Sequence, residues 1–271
     1  LGYGTDTGPR LTLGANWRYV NAQGHYVNLQ SLLSPVQSSL QASYVIPGKH
    51  PKTDRYSLNA SVVENHINQG HSKTEQFGVS TQRLLKHGWQ RTLSLNYAIE
   101  QFQFNNQPSQ LSHLLIPALQ LVHTQSNDDL FPTRGNRFLI STQGSAEQLV
   151  SSTRFWQIEV QDKFITHFTD NDRLLLRGDV GYTAVHDLTH FPLSLRFYAG
   201  GAQSVRGFAY QGLGPGRYLL TGSAEFQQRI KGKWYGAVFY DTGTAPAAWD
   251  FNLQRSVGLG VVWASPLGRI E

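Results

Sequence analysis

Two residue types are missing from this sequence altogether: it has no cysteine and no methionine in 271 positions. Without cysteine, a disulfide framework, a thiol nucleophile and a cysteine-based zinc site are all excluded. Without methionine the first residue, Leu1, is not a translation start, and the chain is expected to be a piece of something longer. No apolar signal-peptide core stands at its front, as expected if such a leader has been removed. Charge is scarce as well: Asp, Glu, Lys and Arg make up 15%, against about 25% in ordinary soluble domains. Nor is there an apolar run near the ~18 residues that a transmembrane helix requires. The net charge of +5 is spread without a basic run, so no nucleic-acid partner is expected.

Aromatics, by contrast, reach 12%, with 26 Gly and 12 Tyr, while mean hydropathy stays at −0.35. That combination fits a transmembrane β-barrel, in which every second residue meets lipid and the lumen side stays polar. The dominant periodicity is two. Leu11, Leu13, Ala15, Trp17 and Tyr19 alternate with Thr12, Gly14, Asn16 and Arg18; Leu93, Leu95, Tyr97 and Ile99 alternate with Thr92, Ser94, Asn96 and Ala98. The same pattern predicts strands at 1–5, 9–19, 25–33, 37–46, 55–64, 74–85, 89–104, 112–125, 136–144, 153–166, 172–185, 217–230, 233–242 and 254–264, with one more starting at 268. Several are long for a soluble sandwich and right for crossing hydrocarbon at a tilt. Short turns at 21–24, 86–88 and 231–233 suit the periplasmic side; longer polar connectors around 65–73, 105–111 and 144–152 suit the outside, as does the longest, 186–216. Periodicity by itself leaves a soluble all-β protein open. Aromatics near strand ends (Trp17, Tyr19, Trp89, Trp156, Trp234, Trp263) favour the membrane.

Three motifs invite a catalytic or ligand-binding reading and fail it on physical grounds. Asp-Thr-Gly occurs at Asp6–Gly8 and again at Asp241–Gly243, which raises an aspartic protease as a distant alternative. The first copy lacks the apolar flanks of such a site, and a tight turn explains it better. His186 and His190 are four residues apart, but on a loop and without a metalloprotease glutamate, so no metal is expected there. Gly212–Gly216 is followed by neither Lys-Ser nor Lys-Thr and is not a phosphate loop. No nucleotide site, cofactor or catalytic residue is expected.

The informative stretch runs from Phe197 to Phe208. Paired Gly200 and Gly201 permit positive φ, serving as a hinge, and lead into Val205-Arg206-Gly207-Phe208. Arg206 presents a planar fork suited to carboxylates. Glu225 shares the polar register of Thr221, Ser223 and Gln227, and Asp241 falls opposite Val238 and Tyr240. If the loop folds inward, either acid can be the partner of Arg206.

Together with Leu220–Phe226 and Trp234–Gly243, this stretch resembles the C-terminal barrel of the outer-membrane assembly-factor superfamily. Those proteins carry periplasmic POTRA domains ahead of a 16-stranded antiparallel barrel. Val205–Phe208 matches the tip of the family's inward-folded sixth extracellular loop; Val238–Gly243 matches the strand bearing its acidic partner, and Glu225 a second acidic position. Pro132-Thr133-Arg134-Gly135 resembles the family's element before a strand, and Leu1–Gly8 its first hairpin. Gly88–Arg91 and Phe197–Gly201 point to the TamA branch, the barrel subunit of the translocation and assembly module.

The resemblance implies one barrel domain over 1–271 in the bacterial outer membrane, with 14–15 of the 16 strands present, the POTRA domains outside the chain and the seam-closing strand missing. It implies a non-enzymatic factor whose partners are the lipid bilayer, unfolded outer-membrane proteins and autotransporters, and a TamB-like inner-membrane-anchored protein reached through POTRA domains. Clients would enter at a lateral seam between first and last strands. The alternative within the fold is a two-partner-secretion transporter exporting one cognate exoprotein.

Overall fold

The computed structural model describes residues 2–4, 7–67, 69–128, 130–147, 150–265 and 268–270. Strands β1 (Gly2–Gly4), β2 (Gly8–Trp17), β3 (Tyr26–Leu33), β4 (Gln37–Pro47), β5 (Asp54–Ile67), β6 (Gly70–Leu84) and β7 (Trp89–Phe104) are neighbours in chain order. The sheet continues with β8 (Gln110–Ser126), β9 (Gly135–Ser145), β10 (Phe155–Thr166) and β11 (Asp172–Val185). Two short strands, β12 (Phe197–Ala199) and β13 (Leu213–Gly216), pair only with each other. The main sheet resumes with β14 (Tyr218–Lys231), β15 (Trp234–Thr244), β16 (Gln254–Ser265) and β17 (Gly268–Ile270), for 15 strands in all. Every pairing from β1 to β7, and from β11 to β17, is antiparallel. The only helices among the described residues are two three-residue 3-10 turns.

Period-two patterning explains the strands because it sorts side chains onto two chemically different faces. On β4 to β6 the polar face carries a ladder: Ser43 Oγ donates to Asn59 Oδ1 at 2.7 Å and Asn59 Nδ2 to Ser80 Oγ at 3.1 Å. The opposite face of the same strands exposes Tyr56, Leu58 and Val79. Such a sheet folds with its apolar face outward, which is stable in hydrocarbon and not in water.

The chain forms two compact units. One comprises Leu1–Leu121, Ser141–Ile158 and Thr183–Arg196. Its core lies on the polar face of the sheet, where the segment after β11 lays Phe191 (fully buried) and Val185 against Ala98, Leu114, Ile116 and Phe155. Ser194 is tied to β7 there: its N–H and its hydroxyl both donate to the carboxylate of Glu100, the N–H at 3.0 Å. The other unit comprises Val122–Ile140, Glu159–Tyr182 and Phe197–Glu271. Its core gathers Phe197, Ala199 and Val205 from the long connection onto Leu219 and Ala245.

Three expectations need correction. The stretch 65–73 is no long loop: β5 and β6 stay paired up to Ile67 and Gly70, with Glu64 opposite Lys73. Polar residues there mark a hairpin that outruns the apolar band, since main-chain pairing is indifferent to side-chain polarity. The connection 186–216, expected as one long loop, contains a pair of short strands, β12 at Phe197–Ala199 and β13 at Leu213–Gly216; runs of three and four residues are too short to show a period. Asp241-Thr242-Gly243 lies inside β15, which continues to Thr244. Of the first Asp-Thr-Gly, Asp6 lies outside the described residues, and Gly8 opens β2 at φ +71°.

Candidate functional site

The site forms where the long connection meets the polar faces of β11, β14 and β15. Alternation places Thr221, Ser223, Glu225 and Gln227 of β14 on one side, and Tyr235, Ala237, Phe239, Asp241 and Gly243 of β15 on the same side. Gly200 and Gly201 turn the loop back at φ +101° and +97°. The Gly201 N–H then donates to the carbonyls of Val205 and Phe208, at 3.2 and 3.1 Å. A Cβ on Gly200 would lie 2.5 Å from the Ala209 carbonyl oxygen, so only glycine permits this fold of the chain. Val205, fully buried, sits against Gly243, where a Cβ would come within 2.9 Å of its methyl.

Seating Val205 delivers Arg206 to two carboxylates. Its backbone N–H and its Nε both donate to Asp241 Oδ2, at 3.0 and 2.7 Å, and Nη2 donates to Asp241 Oδ1 at 2.8 Å. Nη1 pairs with Glu225. Beneath, the Phe239 ring centroid is 3.6 Å from the guanidinium carbon. Asp241 is fully buried and Glu225 nearly so. A buried carboxylate is tolerated only when paired and hydrogen-bonded, and Arg206 meets both demands at once. Gly207 follows at φ +86°, and Phe208 packs at the margin of the loop core.

Residues missed by sequence reasoning extend the site. Ser223 Oγ donates to Asp241 Oδ1 at 2.6 Å and accepts from Arg206 Nη2 at 3.2 Å and Arg177 Nη2 at 3.1 Å. Arg177 also reaches the Gln203 carbonyl at 3.2 Å. Asp179 accepts from Thr221 at 3.1 Å. In the other direction Gln227 donates to Glu225, and Arg173, 1% exposed, donates to Gln227 Oε1 at 2.9 Å. The available signal was Arg173, Arg177 and Asp179 recurring at even spacing along β11, on the side opposite exposed Leu176 and Val180.

The Pro132–Gly135 element is not at the Arg206 clasp. It closes the turn between β8 and β9, where Asn127 Oδ1 accepts from the N–H groups of Thr133 and Arg134 at 3.1 and 3.0 Å. Asp128 Oδ1 accepts from those of Leu130 and Phe131, at 2.8 and 2.7 Å. Those two donors, Phe131 first, hold the Asp128 carboxyl below the usual carboxylate range. Phe131 joins turn to site: its ring lies 3.8 Å from the Arg173 guanidinium carbon and 5.2 Å from the Tyr235 ring. A continuous chain of contacts thus runs Asp241, Arg206, Glu225, Gln227, Arg173, Phe131.

Asp241 has no place in a carboxylate dyad that shares a proton, because it and Glu225 are bound to one guanidinium. His190 Nδ1 pairs with Asp187 Oδ2 at 2.7 Å on an exposed turn. Among the described residues no group of three or more His, Cys, Asp or Glu side chains could hold a metal ion.

A model of the Omp85 superfamily domain matches residues 20–271. The outer membrane protein assembly factor BamA of Nitratidesulfovibrio vulgaris is 20% identical over 281 residues, which cover 94% of this chain and 35% of that protein. The crystal structure of BamA from Haemophilus ducreyi lacking POTRA domains 1–3 superposes with a TM-score of 0.87 at 16% identity, covering 98% of this chain and 63% of that one. CdiB from Escherichia coli superposes with a TM-score of 0.60 at 13% identity, covering 96% and 54%. The chain therefore spans less than two thirds of each relative's length. At these identities the structural likeness speaks for the fold, and the family match speaks for descent. The chain belongs to the Omp85 superfamily, and its fold is that family's β-barrel of the bacterial outer membrane.

Proposed function

We propose that this barrel serves an outer-membrane assembly and translocation factor that helps β-barrel and autotransporter proteins insert, and that it belongs to the TamA branch. The observation that carries the reading is the Arg206 clasp: a loop tip held by three hydrogen bonds to Asp241 and one ion pair to Glu225. The clasp fixes a loop against β14 and β15, two strands in from the β17 end of the sheet, where pairing with a client strand would take place. Strand addition supplies main-chain hydrogen bonds without demanding one client sequence, and an unpaired edge in lipid is costly enough to drive it.

In this reading Val205, Arg206, Gly207 and Phe208 form the working loop tip, Gly200 and Gly201 its hinge, and Asp241 and Glu225 its anchors. Pro132, Thr133, Arg134 and Gly135 form the turn at the other end of the contact chain. The client passes as an unfolded polypeptide at the lateral seam, and the energy source is the client's own folding in lipid. Periplasmic POTRA domains would connect the barrel to a TamB-like partner. The competing reading is a two-partner-secretion transporter serving one exoprotein.

The test is Arg206→Ala in the full-length protein, read by surface display of several unrelated autotransporters and by heat-modifiable mobility of the barrel itself. The variant is expected to insert and to lose most client display. Full display of all clients would overturn the proposal, and loss confined to one cognate exoprotein would select the transporter.

A further inference from the structure

On the apolar face of the first unit, strands β4 to β10 enclose a depression of about 760 Å³. Tyr56, Leu58, Val79, Leu93, Leu95 and Trp156 form its walls, while Thr142 and Gly144 keep its floor low. The register arranges these side chains in rows across β5, β6 and β7: Leu58, Val79 and Leu95 in one, Tyr56, Thr81 and Leu93 in the next. One row further toward the strand ends, on the same face, come Asp54, Arg83 and Arg91.

That row places two guanidiniums next to each other in register, only one of them paired with a carboxylate among the described residues. Asp54 is almost fully buried and lies 3.5 Å from Arg83 Nε. Arg91 Nε is buried and has no hydrogen-bond partner among the described residues. The adjoining turns add exposed Lys49, Lys52 and Lys86. The two turns lie side by side, since the Leu84 N–H donates to the Thr53 carbonyl at 3.1 Å. Arg55 alternates to the polar face and takes no part.

A surface that only has to meet hydrocarbon needs neither a hollow nor a cationic row at its edge. An apolar hollow one row from two guanidiniums, with three exposed lysines on the adjoining turns, matches an amphiphile with an anionic head. We propose that this face binds an anionic glycerophospholipid. Its acyl chains lie along Leu58, Val79 and Leu95, and its phosphate engages Arg83 and Arg91, whose planar forks suit phosphate oxygens. By antiparallel alternation the adjoining turns fall at the end of the strands opposite the 186–216 connection, the end taken here as periplasmic, where the leaflet is glycerophospholipid.

The measurement is native mass spectrometry of the barrel released from detergent containing phosphatidylglycerol and phosphatidylcholine with identical acyl chains. The wild type is expected to retain phosphatidylglycerol selectively, and excess inorganic phosphate should not displace it. Arg83→Gln/Arg91→Gln should lower retention on the order of tenfold, given the usual contribution of each cation near an anionic lipid surface. Leu95→Trp, which fills the hollow and leaves the cations, should lower it as well, with unchanged heat-modifiable mobility certifying both variants. Equal retention of the two lipids by the wild type overturns the proposal, as does wild-type retention by the double variant. Displacement by phosphate alone would mean an anion site and no lipid site. Because lipid retention is read without any client, failure here is separable from failure of the assembly role.

Discussion

At the scale of single residues, the site is governed by what happens to a carboxylate that has lost its partner. Arg206 satisfies two nearly inaccessible acids. Deleting one side of such a pair typically costs about 3–5 kcal/mol, most of it the uncompensated charge left behind. Arg206→Ala is therefore expected to lower stability by about 3 kcal/mol, toward the bottom of that range because water has access to the loop. The triple change Arg206→Ala/Asp241→Asn/Glu225→Gln should recover much of the loss, since no buried charge then remains. Urea unfolding of the refolded barrel in lipid vesicles checks both; a triple variant no more stable than the single one would show that geometry, not charge, dominates. Arg206→Lys should rescue poorly, because one ammonium cannot donate to Asp241 on two edges and reach Glu225 as well. Gly243 is the neutral counterpart of this argument. Gly243→Val places new atoms where the Val205 methyl sits, and should raise trypsin cleavage at Arg206 without altering any charge.

At the scale of elements, the contact chain from Arg206 to Phe131 predicts that β11 matters to a loop it does not carry. Arg173→Met leaves Asp241 and Arg206 in place but removes the donor to Gln227. A hydrogen bond to a charged group contributes about 1.5–3 kcal/mol, so loop opening should rise roughly tenfold. The readout is the rate of limited trypsin cleavage at Arg206; an unchanged rate would mean that Arg173 serves only its own neighbourhood. The turn after β11 gives a pH prediction. The Thr189 hydroxyl first, then its N–H and the His190 ring, lower the Asp187 carboxyl to about 2. A depressed folded value means the turn gains stability above the unfolded carboxyl pKa near 3.9 and loses it as pH falls through about 2. Carboxyl carbon shifts followed between neutral pH and pH 2 should put the Asp187 midpoint at about 2; a midpoint near 3.9 would refute the bonding. These elements also show what a sequence reveals. Alternation located β2 to β11 and β14 to β16 because each repeats its period several times. It missed β12 and β13, which are shorter than two periods, and it misread the polar ends of β5 and β6 as loop. Arg206, Asp241 and Glu225 were legible because motif and register agreed. Ser223, Arg173 and Arg177 were not singled out, since a polar residue on a polar face carries no mark until the third dimension supplies its partner.

For the molecule as a whole, the ladder lengths determine where it can open. β5 and β6 pair over 14 residues, while β1 meets β2 over three, Gly2 to Gly4 against Arg10 to Gly8. Local opening free energy follows the number of hydrogen bonds and contacts that must be given up together. Glycine holds two of those three positions in β1, and Tyr3 between them is largely exposed, so little packing supplements the ladder. The described β1–β2 ladder is thus one of the weak ones of the sheet, together with β16–β17, which also pairs over three residues. Hydrogen–deuterium exchange of the barrel in lipid nanodiscs should show residues 2–4 and 8–10 exchanging faster than the paired residues of the β5–β6 hairpin. The difference should persist in Arg206→Ala if the clasp and the seam are separate devices. It should widen if the loop also braces the edge from within. Equal protection of the β1–β2 and β5–β6 hairpins would remove the physical basis for the client entry at β1 that the proposed function invokes.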